Sequence, residues 1–246
     1  MSETGAGEAG DRRAALLCAF LGLATLGVFI GFQMLPPVRA AMESGCADGE
    51  AMAHFQMART MADLVGVFSA PNGECRATMI AAMDALNKLD IFLFVPAYAG
   101  FLAAAVWMIA GDLRAPLALV AVGAAALAAL GDVLETATQL RITRNIEGAG
   151  GLIAPLAIGF WLKYAGIAFH GVVLAALAFV QTRKRWVVIG LGIALGLAAL
   201  AAAADLQRAI WMTRAIAIFW AALLAGAILT LTGHKARGVR PEILAP

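Results

Sequence analysis

The sequence predicts an all-α integral membrane protein, a polytopic bundle of about six transmembrane helices with a helical loop outside the membrane. Its 246 residues are 62% hydrophobic and only 14% charged, whereas soluble domains are about 25% charged. Mean hydropathy is +0.86. The polar residues collect between apolar runs that reach the roughly 20 residues needed to cross a bilayer. We therefore expect the lipid bilayer as the main partner, and the small net charge of +2 argues against nucleic acid.

The first apolar run follows a short polar N-terminus. Residues 1–13 are small and polar and are predicted to form a disordered cytoplasmic tail. Residues 14–35 would form a helix about 33 Å long, which is enough to span the membrane. This run exceeds the apolar core of a signal peptide, so we expect an uncleaved first span.

Residues 36–88 are the one substantial stretch outside the predicted spans, and we expect an extracytoplasmic helical loop there. Pro36 and Pro37 end the first helix. Residues 48–69 have the pattern of an amphipathic helix, and a second helix begins near residue 74. If this region faces an oxidising compartment, Cys46 and Cys75 are the natural disulfide pair; the alternative is two free thiols.

Five further apolar runs complete one transmembrane domain over residues 14–234. Pro96 should kink the second span. Lysine and arginine gather at both termini and in the loops on the same side, so both termini are predicted to be cytoplasmic. With no eukaryotic targeting signal, a bacterial plasma (inner) membrane is the default. The remaining segments are spans 90–110, 115–140, 152–180, 186–204 and 208–232 and a cytoplasmic tail, 235–246.

The end of the third span carries a polar face. Asp132, Glu135, Thr136 and Gln139 are spaced by three, four and seven residues, which places them on one side of a helix. Two carboxylates at the end of a membrane-length segment are costly unless polar groups face them. We therefore searched the other spans for their partners.

Counting about 1.5 Å per residue along each span places further charges at a similar depth. Charges inside a membrane face the bundle interior and pair, so we predict a nearly neutral polar layer beneath the 36–88 loop. Its acids are Asp90, Asp132, Glu135 and Asp205, its bases are Lys163, Arg208 and Arg214, and Tyr98, Tyr164, Thr136 and Gln139 extend it.

Two interpretations of this layer remain open at the sequence level. It is either a salt-bridge network that fixes helix register, or the lining of a pocket open to the outer side. In the second case, Asp132 and Glu135 repel each other and one favours its protonated form. That carboxyl would serve as a proton carrier or general acid, with Lys163 as its electrostatic partner.

Other chemistries lack a motif. His54, His170 and His234 are far apart and no Cys-x-x-Cys occurs, so we expect no metal site. The sequence holds no Gly-x-Ser-x-Gly and no phosphate-binding loop, and no cofactor is expected.

Two segments resemble a loose group of bacterial multi-span proteins without assigned activity. They are residues 54–60 with the helix leading into residues 89–98, and residues 131–136. That group has an aspartate opening the second span and Asp-x-x-Glu-Asn in the third, where this chain has Thr136 in place of Asn. The resemblance implies that Asp90, Asp132 and Glu135 act as a set, and it implies no activity.

We therefore expect a membrane protein that binds or transports a small polar or amphiphilic molecule, including a lipid, near the outer face. The alternatives are an intramembrane lipid-modifying enzyme that uses the paired carboxylates, and a structural or accessory subunit. The sequence does not decide whether the protein is an enzyme.

Overall fold

Helices account for every regular element in the computed structural model, which describes residues 3–48, 50–68, 75–180, 186–206 and 209–237. The all-α prediction is therefore confirmed for this part of the chain. The helices are α1 (Glu3–Met34), α2 (Pro36–Glu43), α3 (Ala51–Met57), α4 (Met61–Phe68), α5 (Cys75–Leu89), α6 (Val95–Ala110), α7 (Pro116–Ile142), α8 (Ile153–Val180), α9 (Trp186–Ala204) and α10 (Ala209–Arg237).

Six helical segments are long and apolar enough to cross a membrane, which makes the chain a multi-pass membrane protein. α5 and α6 form one of these segments together with a π-helical turn, Asp90–Phe94, that joins them without a break. The six segments are Arg12–Met34, Cys75–Ala110, Pro116–Ile142, Ala149–Val180, Trp186–Ala204 and Trp211–Gly233.

α8 is the central helix of the bundle. It packs against α7 on one side and α9 on another, while α1 packs against α6 and α10. In its most apolar stretch 67% of α8 is buried, compared with 22% of α9. α9 and α10 are apolar around their whole circumference, as expected for helices that face lipid on most sides.

A cap of three short helices, α2 to α4, covers one end of the bundle; we call residues 36–68 the cap. Phe55 and Phe68 pack edge to face within it, with ring centroids 4.9 Å apart. Its apolar core continues onto α5 and α7 through Met79 and Ile142 and onto α8 through Leu156. The cap is therefore fixed to the bundle by a hydrophobic core of its own.

One helix boundary differs from the sequence prediction and another agrees with it. α1 begins at Glu3, within the segment expected to be a disordered tail, because no proline interrupts the chain before Pro36. The helix predicted to begin near residue 74 begins at Cys75 and continues without a break to Ala110. Pro96 follows the π turn, which accommodates the carbonyl that its ring would otherwise contact.

The helix expected over residues 48–69 is two helices, α3 and α4. The side-chain oxygens of Thr60 and Asp63 accept hydrogen bonds from each other's backbone N–H, at 3.1 and 2.8 Å. This capping box starts α4 as a separate helix, so α3 and α4 do not form one continuous helix. Four features of the sequence lie outside the described residues: the turn signal at 71–73, the basic run at 181–185, Arg208 and residues 238–246.

Candidate functional site

Glycines bring α7 and α8 into close contact at the polar face predicted for α7. A Cβ on Gly131 would collide with the backbone nitrogen of Lys163, and one on Gly159 would lie 2.5 Å from the backbone nitrogen of Glu135. Small residues of this kind let helix backbones approach each other inside a membrane. The side chains next to these glycines are therefore forced together.

Lys163 lies between the two carboxylates of α7. Its Nζ is 2.9 Å from Asp132 Oδ1 and 3.3 Å from Glu135 Oε2. Asp132 and Glu135 are at most 1% exposed and Lys163 is 8% exposed. This cluster is thus buried from both water and lipid, and its ion pairs act in a medium of low dielectric.

Two further residues extend the cluster towards α5 and α6. Asp90, in the π turn, accepts a hydrogen bond of 2.7 Å from the Thr136 hydroxyl and lies within electrostatic range of Asp132 and Lys163. The hydroxyl of Tyr98, on α6, lies next to Asp132, and its ring stacks on Trp220. Three of the six membrane-length segments therefore contribute to one site, which we call the carboxylate–lysine cluster: Asp90, Tyr98, Asp132, Glu135, Thr136 and Lys163.

The cap contributes Arg59 above this cluster. The guanidinium lies 4.8 Å from the centre of the Phe160 ring, donates to the carbonyls of Gln56 and Ala58, and is within electrostatic range of Glu135. The capping box holds the backbone of Arg59, because its N–H donates to Asp63 Oδ2 at 2.8 Å. That bond and the Thr60 bonds hold the pKa of Asp63 below its usual value.

Tyr164 ties the cap to the same part of α8. Its hydroxyl donates to Gln56 Oε1 on α3 at 3.3 Å, and its ring lies 5.2 Å from Lys163 Nζ. Tyr164, which was predicted to extend the layer, therefore lies close to the cluster. Gln139 is fully buried on the same face of α7, one turn from Thr136.

The site has one carboxyl group more than it has cations, the same excess as in the predicted layer. Three buried carboxyl groups face the Lys163 ammonium, and Arg59 is the one additional cation near them in the described part of the chain. Arg214 on α10 is exposed and stacks on Trp211, and Asp205, which follows α9, is exposed as well. Apolar helices with lipid-facing sides let a long basic side chain turn outward, so equal depth did not bring Arg214 into the cluster.

An open cavity of about 550 Å³ lies between the cap and the bundle, and Arg59 forms part of its wall. The volume is in the range of small-molecule sites. Its lining mixes charged and apolar side chains, among them Asp48, His54, Met57, Arg59, Asp63 and Leu206. Arg59 therefore connects the cavity with Glu135 of the cluster.

A second cavity, about 510 Å³, is an apolar groove between α8 and α9. Trp161, Ala165 and Phe169 of α8 line it, whereas Lys163 projects from the other side of that helix towards α7. The groove therefore has no carboxylate beside it. No three His, Cys, Asp or Glu side chains are placed to hold a metal ion within the described residues.

Cys46 and Cys75 form a disulfide with Cα atoms 5.2 Å apart, joining the cap to the start of α5. The third cysteine, Cys18, is buried in α1. An ion pair between Arg76 and Glu147 also links α5 to the connection that precedes α8.

Sequence reasoning missed four polar residues of this region: Arg59, Asp84, Asn87 and Thr143. Asp84, Asn87 and Asp90 have a spacing of three, which is a helical signal. It was overlooked because the second span was expected to begin at residue 90. Arg59 gave no local signal, since its place depends on how the cap folds over α8.

Comparisons of this chain with known protein families, with curated proteins and with solved structures find no match, so the functional proposal rests on the geometry of the site.

Proposed function

We propose that this multi-pass membrane protein binds a small polar or amphiphilic molecule in the cavity beneath the cap, and that it acts as a receptor or transporter for that molecule. One observation carries the proposal: Arg59 lines an open cavity of about 550 Å³ and is within electrostatic range of Glu135 of the buried cluster. A charged ligand in the cavity would thus act electrostatically on the carboxylate–lysine cluster through the side chain of Arg59.

The chemistry of the lining supports a ligand with both polar and apolar parts. Arg59 is half-buried, and one of its guanidinium nitrogens, Nη2, is buried with no hydrogen-bond partner among the described residues. Met57, Val67 and Leu206 provide apolar surface on the same cavity. A ligand with an acceptor group for Arg59 and a short apolar part matches this combination.

The charges of the loops support a proposal for the compartment. In the sequence, basic residues cluster near both termini and between α8 and α9. We propose a bacterial plasma membrane with both termini cytoplasmic and the cap outside, where the Cys46–Cys75 disulfide is stable. The ligand would then come from the extracytoplasmic side.

A lipid-modifying enzyme is the less favoured alternative. Such an enzyme needs a carboxylate next to a groove that lipid can reach. Here the apolar groove and the carboxylates lie on different sides of α8, with the helix between them. An accessory subunit would instead show itself by copurification of a stable partner protein.

A cavity-filling substitution tests the proposal directly. Gly66 lines the cavity and a Cβ there would have no atom within 4 Å, so Gly66→Trp should fill the space without strain. Val65→Trp is the matched control, because Val65 is exposed on the same helix and does not line the cavity. Metabolites and lipids that copurify with each full-length protein would be identified by mass spectrometry.

We expect at least one compound to be lost about tenfold or more from Gly66→Trp, and also from Arg59→Met, and to be retained by Val65→Trp; tenfold corresponds to about 1.4 kcal/mol of binding free energy. An identical set of bound compounds in all four proteins would refute the proposal. So would a wild-type protein that retains no compound.

A further inference from the structure

A row of polar side chains joins the cap-side surface to the carboxylate–lysine cluster along the contact of α5 and its π turn with α7. At its outer end the Thr143 hydroxyl donates to Asp84 Oδ1 at 2.6 Å, and at its inner end Thr136 donates to Asp90 Oδ2 at 2.7 Å. We call this row the polar seam: Asp84, Asn87 and Asp90 with Thr136, Gln139 and Thr143.

The register of the two helices places Asn87 opposite Gln139. The helices run antiparallel, with Asp84 paired to Thr143 and Asp90 to Thr136. Asn87 lies midway between the two acids on its helix, and Gln139 lies between the two threonines on the other. The two amides therefore face each other in the centre of the seam.

Both amides are fully buried, at 0% exposure, and none of their four polar atoms has a hydrogen-bond partner within the described residues. A buried amide without hydrogen bonds lowers the stability of the fold, and proteins supply hydrogen bonds to such groups with internal water. The seam is polar on both sides and offers several partners to each water, which are the conditions for water to occupy an interior site.

The seam is connected at both ends. Asp84 is half-buried, and so it meets the surface beside the cap. At the inner end, Thr136 is one helical turn from Asp132, and Asp90 acts electrostatically on Asp132 and Lys163. From Thr143 to Asp132 the distance along α7 is about 16 Å at 1.5 Å per residue. The π turn at Asp90 is an irregularity often found at functional positions in helices.

On the other side of the cluster the bundle is apolar. His170 is the one buried polar residue of α8 beyond Lys163 in the described part of the chain, and its Nδ1 is bonded to the carbonyl of Ala121 at 2.9 Å. Val173, Leu174 and Leu177 fill the following turns. Among the described residues, a proton that leaves the cluster therefore has a continuous polar path only towards the cap.

We propose that the polar seam holds water and conducts protons between the cap-side surface and the carboxylate–lysine cluster, which exchanges a proton with that side alone. A hydronium ion at Asp84 transfers its proton through the water to one carboxylate of the cluster. That carboxylate becomes a neutral carboxylic acid, and the charge of the cluster becomes more positive by one. Release follows the same path in reverse.

The excess of carboxylates supplies the acceptor for this proton. With all groups ionised, three carboxylates face the Lys163 ammonium and the half-buried Arg59, which leaves one surplus negative charge, and a buried surplus charge is neutralised most simply by a bound proton. The titratable and charged groups that surround the acceptor are Asp90 of the π turn, Tyr98 of α6, Asp132 and Glu135 of α7, Lys163 and Tyr164 of α8, and Arg59 of the cap.

Infrared spectroscopy on the full-length protein in a lipid film tests this path. After a change from H₂O to D₂O, the C=O band of a protonated carboxyl shifts when its proton exchanges. The test variant is Asn87→Leu/Gln139→Leu, which replaces both facing amides by apolar groups of similar shape and so leaves no new unsatisfied group. The control is Thr138→Val. Thr138 is buried on the same helix, and its hydroxyl donates to the backbone carbonyl of Leu134, one turn earlier.

We expect exchange in the double variant to be slower by about tenfold or more, since the water it displaces carries the proton, and unchanged in Thr138→Val. Equal rates in all three proteins would overturn the proposal. Loss of the band in Asp90→Asn/Asp132→Asn/Glu135→Gln assigns it to the cluster, and its persistence there would overturn the proposal too. A band that disappears on adding Na⁺ to the wild type would mean that the seam binds a cation instead.

A measurement on the wild type alone covers the case in which the double variant does not fold. Hydroxyl radicals formed from bound water by X-rays label the side chains next to that water. Met83 is 2% exposed and lies one turn before Asn87, and Met212 is fully buried on α10. We expect faster labelling of Met83 than of Met212, and equal labelling would show that the seam is dry. This result does not depend on a ligand in the cap cavity, so each proposal can fail separately.

Discussion

The contact between α7 and α8 differs between the two halves of the bundle. In the cap-side half, the helices meet through Lys163 and the carboxylates of Asp132 and Glu135. In the far half, the same helices meet through alanines and leucines, and the His170–Ala121 bond is the polar contact there within the described residues. One helix pair thus supports charged packing at one end and apolar packing at the other.

The difference shows where a membrane protein can place charge. Lys163 lies on α8, the most buried of the six membrane-length segments. On the peripheral helix α10, by contrast, Arg214 is exposed. A charge within the membrane needs neighbours on every side, and the central helix α8 provides them for Lys163. The charged half of the α7–α8 contact is therefore expected to respond to substitution far more strongly than the apolar half.

The largest effect is expected from removing the one ammonium of the cluster. Lys163→Met leaves the buried carboxylates of Asp132 and Glu135 without their ion-pair partner, which should cost about 3–5 kcal/mol. Thermal unfolding in detergent at neutral pH measures this loss. Lys88→Met, an exposed lysine on α5, is the matched control and should unfold like the wild type.

A triple variant distinguishes the loss of the Lys163 ion pairs from a simple loss of packing. Adding Asp132→Asn and Glu135→Gln to Lys163→Met removes the two carboxylates that lost their ion pair, leaves Asp90 with its Thr136 bond, and should restore most of the lost stability. Equal stability of Lys163→Met and wild type would mean that the charged half is no more sensitive than the apolar half.

A smaller effect is expected when a glycine of α7 is replaced by alanine, once in each half of the helix. In Gly131→Ala the new Cβ meets the backbone of Lys163, whereas in Gly123→Ala it has no atom within 4 Å. Overpacking of a close contact costs about 1–3 kcal/mol. We expect Gly131→Ala to unfold at a lower temperature and Gly123→Ala to match the wild type or exceed it slightly. If both glycines tolerated alanine equally, close helix approach would not be what holds the cluster together.

Much of the fold follows from the sequence, because bilayer thickness sets the length of an apolar helix. The spacing of Asp132, Glu135 and Thr136 also predicted a shared face, which the structure places against α5 and α8. Depth along a helix does not fix the direction in which a side chain points. For that reason Lys163 and Arg214 were expected in one layer, although one faces α7 and the other the surface.

Glycines show the same limit. Gly27 and Gly31 on α1, and Gly192 and Gly196 on α9, are pairs of glycines four residues apart, a pattern that allows close helix packing. Gly192 packs against the carbonyl of Gly171, while Gly27 has open space around it. The pattern of two glycines four residues apart is identical in the two cases. Gly131, the glycine that matters most for the site, belongs to no such pair, and its role appears only when α8 is in place.

The smallest effect is expected in the cap, at the capping box that positions Arg59. Asp63 accepts bonds from the backbone N–H groups of Arg59 and Thr60, which lower its pKa. A carboxylate with a lowered folded-state pKa stabilises the fold above its unfolded-state pKa, and this contribution disappears as the pH falls through the folded-state value. Because Asp63 is exposed and screened by solvent, we expect a contribution of at most about 1 kcal/mol.

Hydrogen exchange of the α4 amides measures this contribution locally. Asp63→Ala should accelerate exchange in α4 at neutral pH, with α8 unchanged, and the difference between variant and wild type should shrink in acid as Asp63 becomes protonated. A change of equal size in the α8 amides would show that the cap and the charged half of the bundle unfold as one unit. A difference that persisted undiminished in acid would assign the effect to packing instead of the carboxylate.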